Sequence, residues 1–314
     1  MRKILGVNIS HNVSFAYFED GILKKYYEED RFNKIKNFYP PHPFSEQYKY
    51  KVLKKFKDIV FDAVVFVSFD RGDPLIDKAY IDNILKQVAT KNVKFYNNQH
   101  HVFHAISGFY FSKFDEAIGL VCDGGGEIYH KSNSNTFRVM ESIFYMNKNK
   151  IKCFYKHYSC SRSDFWENFH KIPSKTNFKK NDIDIILSNK LCCGHKFNLL
   201  ALKANFNNHE EGQLMGIAAY EKKHNLNNNV LKIAKKAQKE TLDERIALVE
   251  KAITYNDCKN IILSGGYHLN CANNFKLVKH FPKLNFFVDP IAHDGGTSVG
   301  VAYNYIKYEE NFKN

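Results

Sequence analysis

Two stretches of this chain open in the same way, and a repeat of that kind constrains the fold more than any single motif does. The first, "KILGVNISHNVSFAYFEDGILKKYYEEDRF" from Lys3, reads as a buried strand, a polar turn, an alternating strand, an Asp20-Gly21 turn and a third strand. The second, "EAIGLVCDGGGEIYHKSNSNTFRVMESIFYM" from Glu116, repeats the plan: an apolar strand, a Gly-rich turn after Asp123, then two further strand-like runs. Between them "SEQYKYKVLKKF" has helical character and "DAVVFVSF" reads as an apolar strand. The repeat predicts two halves, 1–112 and 113–314, the second with an inserted segment near 150–210.

Later turns continue the theme. "NIILSGGYHLNCANNFKL" is a strand, a Gly265-Gly266 turn and a helix start, and "NFFVDPIAHDGGTSVGVAYNYI" places Asp294, Gly295 and Gly296 before a small-residue helix. A Gly-Gly pair is first of all a turn signal, but three such turns at strand ends favour a cleft that cradles phosphate on backbone N–H groups. Strand repeat and turns together predict an α/β chain with a duplicated RNase H-like fold of the actin/sugar-kinase type, its nucleotide between the halves. At 314 residues and 44% hydrophobic, the chain can bury a core of that size.

Within that frame "YNNQHHVFHAISGFYF" carries the candidate chemistry. On a helix His100 and His104 share one face a turn apart, so both imidazoles reach one ion, while His101 points about a quarter turn away and reads as a supporting or surface residue. With 14 histidines in 314 residues, roughly 0.6 such pairs arise by chance, so the spacing alone defines no site. A third ligand must come from elsewhere. Asp294, a carboxylate on a tight turn facing the same cleft, is the candidate. Seven cysteines (122, 153, 160, 192, 193, 258 and 271) include no C-x-x-C pair, which suits reduced thiols. Cys192, Cys193 and His195 have zinc-like spacing but no matching second half. Cys122, beside the glycine turn, reads as a small buried strand residue rather than a nucleophile.

The net charge of +13 attracts polyanions such as nucleic acid or phosphorylated small molecules, although abundant Lys, Asn, Phe, Tyr and Ile also mark an AT-rich coding sequence. "MRKILGVNIS" passes directly into polar residues, and no stretch approaches the roughly 20 apolar residues that cross a bilayer. The expectation is a soluble, cytoplasmic protein without a membrane partner.

The opening "GVNISHNVSFAYFEDG…EEDRFNKIKNFYP", then "NQHHVFHAISGFYFSKFDEAIGLVCDGGGE", "EEGQLMGIAAYE", "LSGGYHLNCANNFKL" and "DPIAHDGGTSVGVA" follow one another in an order that resembles the O-carbamoyltransferases of antibiotic and nodulation-factor biosynthesis. The likeness runs from about residue 4 to 303. The same core is similar to the catalytic subunit of tRNA threonylcarbamoyl transferases. The resemblance implies an ATP- and metal-dependent transfer of a carbamoyl group from carbamoyl phosphate, by way of carbamoyl adenylate, to an acceptor hydroxyl. It implies that His100, His104 and Asp294 hold a divalent metal, iron first, with Mg2+ and Mn2+ as alternatives. The nucleotide lies against Gly124, Gly125 and Gly126 and against Gly265, Gly266 and Asn270, with Asp123 and Glu127 flanking its phosphates. His11 lies near the carbamoyl group, and Arg31 and Lys36 orient phosphate or the acyl donor.

Two positions depart from the family pattern: Asn8 stands where an acidic or small residue is common, and Gln213 replaces a frequent lysine. Relatives continue into a second domain that forms carbamoyl adenylate, whereas this sequence stops at "YNYIKYEENFKN". The expectation is that this domain is absent, and that the activated group comes from a separate carbamoyl-activating subunit or is made in the cleft. For the acceptor, the basic charge points to a hydroxymethylated base in DNA, 5-hydroxymethylcytosine. The alternatives are a sugar or antibiotic hydroxyl, a tRNA threonylcarbamoyl transferase-like role, and a non-catalytic nucleotide-binding assembly subunit. Lys34, Lys36, Lys171, Lys175, Lys179 and Lys180, interleaved with Phe38, Tyr39, Phe165 and Trp166, are candidates for a nucleic-acid rim.

Overall fold

Strand β1 (Lys3–Asn8) alternates its side chains between two hydrophobic clusters, Ile4 on one face and Leu5 and Val7 on the other, and so must lie inside a sheet covered on both sides. In the computed structural model, which describes residues 1–39, 48–68, 74–130, 136–160, 175–207, 210–220 and 228–308, it is the centre of a five-stranded sheet. With β2 (Ser14–Glu19), β3 (Ile22–Glu28), β5 (Ala63–Val67) and β7 (Val93–Tyr96) the order is β3-β2-β1-β5-β7; β4 (Val60–Phe61) and β6 (Ala89–Thr90) pair separately. Two antiparallel pairings on one side of β1 are matched by two parallel ones on the other.

The second sheet repeats this series. Its strands are β8 (Glu116–Cys122), β9 (Ile128–His130), β10 (Thr136–Asn147), β11 (Ile151–Cys160), β12 (Lys175–Lys180), β13 (Ile183–Ser188), β14 (Asn260–Ser264) and β15 (Asn285–Val288). In the order β12-β13-β11-β10-β8-β14-β15, β11-β10-β8 is antiparallel and β8-β14-β15 parallel, as β3-β2-β1-β5-β7 is in the first sheet. β13 and β12 extend it beyond the repeat, and β9 pairs with β10. The predicted duplicated α/β fold is what is found.

The helices are α1 (Asp30–Asn33), α2 (Pro74–Leu85), α3 (His100–Ser112), α4 (Cys193–Lys203), α5 (Glu211–Ile217), α6 (Asn228–Tyr255), α7 (Cys271–His280) and α8 (Thr297–Lys307). Helix α3 follows the first sheet in sequence but packs on β8, β10 and β14 of the second, whereas α8 follows the second sheet and packs on β1, β2 and β5 of the first. The two helices also pack on each other, so the central layer is an exchanged pair with Phe103, Ile106, Val299 and Val301 in one cluster. Glycines at equivalent strand positions admit them. A Cβ on Gly6 of β1 would lie 2.0 Å from Ser298 O of α8, and one on Gly119 of β8 would lie 3.3 Å from Ala105 Cβ of α3.

The helix expected over "SEQYKYKVLKKF" is replaced by a 3-10 turn at Val52–Phe56, with residues 45–47 outside those described. The buried Glu29 carboxylate accepts the N–H groups of Lys51 and Val52, at 2.8 and 2.9 Å, so the helical turn is capped there and does not extend back through Tyr50. Among the described residues no helix is long and apolar enough to cross a membrane.

Candidate metal and nucleotide site

Helix α3 begins at His100, directly after β7 and a left-handed Asn98, so its first turn lies at the C-terminal end of the first sheet. His100 and His104 are fully buried on one face, their Nε2 atoms 3.1 Å apart. Asp294 arrives from the turn between β15 and α8, where His293 Nδ1 accepts the Gly295 N–H at 3.1 Å. Its Oδ1 lies 3.5 Å from His100 Nε2 and 3.6 Å from His104 Nε2. Its Oδ2 accepts from Ser10 Oγ at 2.9 Å and lies 3.1 Å from His11 Nε2.

A fourth residue joins them. Asp123, at the end of β8, places Oδ2 3.7 Å from His100 Nε2, and the ligand atoms of His100, His104, Asp123 and Asp294 all lie within 4.8 Å of one another. Asp123 also links two glycine turns, accepting Gly125 N–H at 3.4 Å and Gly266 N–H at 3.0 Å. Instead of only flanking phosphates, as the resemblance implied, it belongs to the histidine cluster. Nothing in an Asp-Gly-Gly sequence separates a ligand from a turn cap.

Burial disfavours charge throughout this cluster, yet Asp294 and Asp123 outweigh it and raise His100 to about 10. Burial pushes both carboxyls up, as does Asp294 in the case of Asp123, and the imidazoles more than offset this, His100 and His104 for Asp123 and His11, His100 and His104 for Asp294, holding both well below the usual carboxylate range. Asp294 Oδ1 is buried without a hydrogen-bond donor, between two imidazole nitrogens. Two buried carboxylates and two imidazoles, with an acceptor oxygen left over, fit a divalent cation such as Fe2+, Mn2+ or Zn2+. The Nδ1 atoms of both histidines are buried without partners, so the protein does not fix the tautomer with the Nε2 lone pair inward.

The remaining candidates divide into those near the cluster and those away from it. His11, on the β1–β2 turn, is 40% exposed, and its Nδ1 lies 2.7 Å from Asn12 Oδ1. Asn8 organises that turn, bonding the carbonyls of His11 and Asn12 and, through Oδ1, accepting from Ser10 N and Oγ. The Gly124 turn is open, for a Cβ on Gly124 would meet nothing within 4 Å. Gly265 has φ +91°, and a Cβ there would lie 2.4 Å from Cys122 O. Asn270 caps α7 and exchanges two side-chain hydrogen bonds, 3.1 and 2.8 Å, with Gln238 of α6.

Glu127 turns away from the cluster. It accepts the His101 N–H at 3.2 Å and pairs with the largely buried Lys156 at 3.4 Å. His101 is buried against Ser142 Oγ at 2.9 Å, and burial lowers it to about 3, so it is neutral packing rather than a ligand or a surface residue. Arg31 is 75% exposed and reaches the site only through Glu28, with which it forms an ion pair at 3.4 Å and which lies 3.3 Å from His293 Nε2. Lys36 is exposed on the following loop and is not brought to the cluster. Gln238 and Lys156 carry no motif, and only the fold singles them out.

Residues 15–303 match the family described as carbamoyltransferase N-terminus. The uncharacterized protein sll1178 of Synechocystis sp. is 24% identical over 355 residues, covering 96% of this chain and 56% of that protein. HypF from T. kodakarensis superposes with a TM-score of 0.62 at 14% identity, over 99% of this chain and 48% of its own, and full-length HypF in a phosphate- and nucleotide-bound form with 0.55 at 14% identity, over 98% and 55%. A ROK family protein from Streptococcus pneumoniae gives 0.53 at 11% identity over 99% of this chain and 100% of its own. This chain thus spans about half the length of the curated relative and of the HypF chains.

Proposed function

The chain belongs to the carbamoyltransferase family, and we propose that it transfers a carbamoyl group to an acceptor hydroxyl in the cleft between its halves, divided near residue 113. The observation that carries this reading is the convergence of four buried ligand residues, from α3, β8 and the turn before α8, with the glycine turns that end β8 and β14. In this reading His100, His104, Asp123 and Asp294 hold a divalent cation, iron foremost, which when bound supplies electrophilic polarisation of a carbonyl or phosphoryl oxygen.

The chain's own groups do the rest. The open Gly124 turn, tied to the Gly265-Gly266 turn through Asp123, receives the phosphate of ATP or carbamoyl adenylate, and the Asn270–Gln238 pair fixes the helix start beside it. His11, 40% exposed beside the cluster, takes the proton of the acceptor hydroxyl at Nε2 once that nitrogen swings off Asp294 Oδ2, 3.1 Å away here, while Nδ1 keeps its hydrogen toward Asn12. Arg31 and Lys36 act at longer range, drawing carbamoyl phosphate or the polyanionic part of a substrate.

Preformed carbamoyl adenylate with a panel of alcohols, read by mass spectrometry, is expected to give a carbamoylated product that depends on added divalent metal. Absence of product under those conditions would sink the reading. Carbamoyl phosphate plus ATP, in place of the adenylate, tests where activation occurs. Turnover by the pure chain assigns both steps to this cleft, and turnover only from the adenylate assigns activation to another subunit or domain. For the acceptor we propose a hydroxyl on a polyanion, 5-hydroxymethylcytosine in DNA, on the strength of the +13 charge; a small sugar alcohol is the competing substrate.

A further inference from the structure

The sequence offers no matching second half for the zinc-like spacing around Cys192, but the fold brings two other candidate ligands to it. His157 of β11 places Nδ1 3.1 Å from Glu141 Oε2 of β10 and 3.7 Å from Cys192 Sγ, in the residue before α4. All three side chains are buried, and their ligand atoms lie within 4.8 Å of one another. Around a tetrahedral Zn2+ with bonds of about 2.0–2.3 Å, an N···O edge is about 3.3 Å and an N···S edge about 3.6 Å. The observed edges are close to both.

The surroundings complete the case. Ser188 Oγ lies 2.7 Å from His157 Nε2; in the tautomer whose Nε2–H donates to it, the Nδ1 lone pair faces the carboxylate and the sulfur. In that tautomer three electron-rich atoms face one another, an arrangement that a cation between them stabilises. Arg245 donates to Oε1 of Glu141, so the guanidinium and the His157 ring engage different oxygens of one carboxylate. A cavity of about 380 Å³, lined by these residues and by Tyr155, Lys175, Lys190 and Lys251, gives access and room for a fourth ligand. We propose that Glu141, His157 and Cys192 form a second metal site, selective for Zn2+ or a similar borderline-soft divalent ion, separate from the histidine–aspartate cluster. On binding, the thiol of Cys192 yields its proton to solvent and an S–metal bond forms. Such an ion ties β10 and β11 to the start of α4, where a Cβ on Gly194 would lie 3.1 Å from Gly124 Cα, and so braces the open glycine turn of the first site.

The two sites differ in sulfur, which gives a specific probe. The metal-free chain titrated with Co2+ is expected to develop the near-ultraviolet charge-transfer absorption of a thiolate–Co2+ bond, abolished by Zn2+. Cys192→Ser, or Cys192→Ala where the serine variant fails to fold, should lack the band and bind about one fewer ion per chain. His100→Ala should keep the band. Ser188→Ala, which removes no ligand, should retain the band at saturation with affinity lowered about 10- to 100-fold. No thiolate band in the unaltered chain, a band that survives in both Cys192 variants, or unchanged affinity in Ser188→Ala overturns the proposal.

Discussion

Asp294 Oδ1 stands between two imidazoles with no donor of its own, so the metal site proposed there depends on each of its members. His100→Ala and His104→Ala are each expected to lose the bound ion and nearly all transfer, because a site of this size rarely survives the loss of a ligand. His101→Ala should keep the ion, since that ring is engaged with Ser142, and should cost stability through the cavity it leaves. Elemental analysis decides: full occupancy in the His104→Ala protein would show the ligands to be misassigned. A second expectation concerns Glu28, behind Asp294. Burial opposes its charge, but His293, Tyr26 and Arg31 more than offset this and pull the carboxyl from 4.5 to about 2. A depressed carboxyl stabilises the fold fully above its unfolded value and loses that contribution as pH falls toward the folded one. The unaltered chain should therefore lose more stability than Glu28→Gln between pH 4.5 and 2, measured by urea unfolding; parallel losses would exclude it. At this scale the sequence revealed what spacing reveals, the His100–His104 pair and the acidic glycine turns. The place of Asp123 beside the histidines, and that of Cys192 beside His157 and Glu141, were illegible because their partners are distant in sequence and meet only when β8, β10 and β11 align.

At the scale of elements the site is a crossing of two helices. α3 carries both histidines and α8 follows directly on the Asp294 turn, so their separation sets the span between ligands. Gly300 makes that separation possible, for a Cβ there would lie 2.0 Å from Phe103 O, a backbone atom that cannot swing away. Gly300→Ala is expected to cost about 1–3 kcal/mol by overpacking and to weaken metal binding by moving Asp294 from the histidines. Gly216→Ala, where a Cβ meets nothing within 4 Å, should do neither. Denaturant unfolding and metal titration of the two variants give the comparison, and an unshifted metal affinity in Gly300→Ala would uncouple the crossing from the site. The two strand triplets were legible because buried strands and Asp-Gly turns leave strong local patterns. The helix expected at 45–56 failed because Glu29, a residue distant in sequence, caps the chain at Lys51 and Val52. The edge strand "KTNFKK" escaped notice because an exposed edge carries few apolar residues.

For the whole molecule the +13 charge bears on which acceptor the cleft draws in. Lys34, Lys36, Lys175, Lys179 and Lys180 are exposed, the first two after β3 and the others on the far edge strand of the second sheet. Lys179 lies 3.8 Å from Asp184 Oδ1, and Lys180 lies over the Tyr129 ring at 5.8 Å. Of the aromatics expected to stack on bases, Phe38 is buried against Tyr48 and Tyr39 packs edge-on to Tyr80; Lys171, Phe165 and Trp166 lie outside the described residues. Base stacking by Phe38 is therefore excluded, and a polymer would be held through phosphates by dispersed lysines. Each neutralised phosphate releases counterions, so the affinity of such a complex falls steeply with salt, whereas a neutral sugar alcohol entering the cleft releases none. If DNA is the acceptor, carbamoylation of 5-hydroxymethylcytosine in single- or double-stranded DNA should exceed that of the free nucleoside. Its kcat/KM should drop about tenfold or more between roughly 50 and 200 mM salt, with the steepest part of the loss removed in a Lys34→Ala, Lys36→Ala variant. Single strands should react faster than duplex, because the base is already out of the stack. A small alcohol turned over as well as the polymer, at a rate indifferent to salt, would instead assign the lysines to composition and the cleft to a small-molecule acceptor.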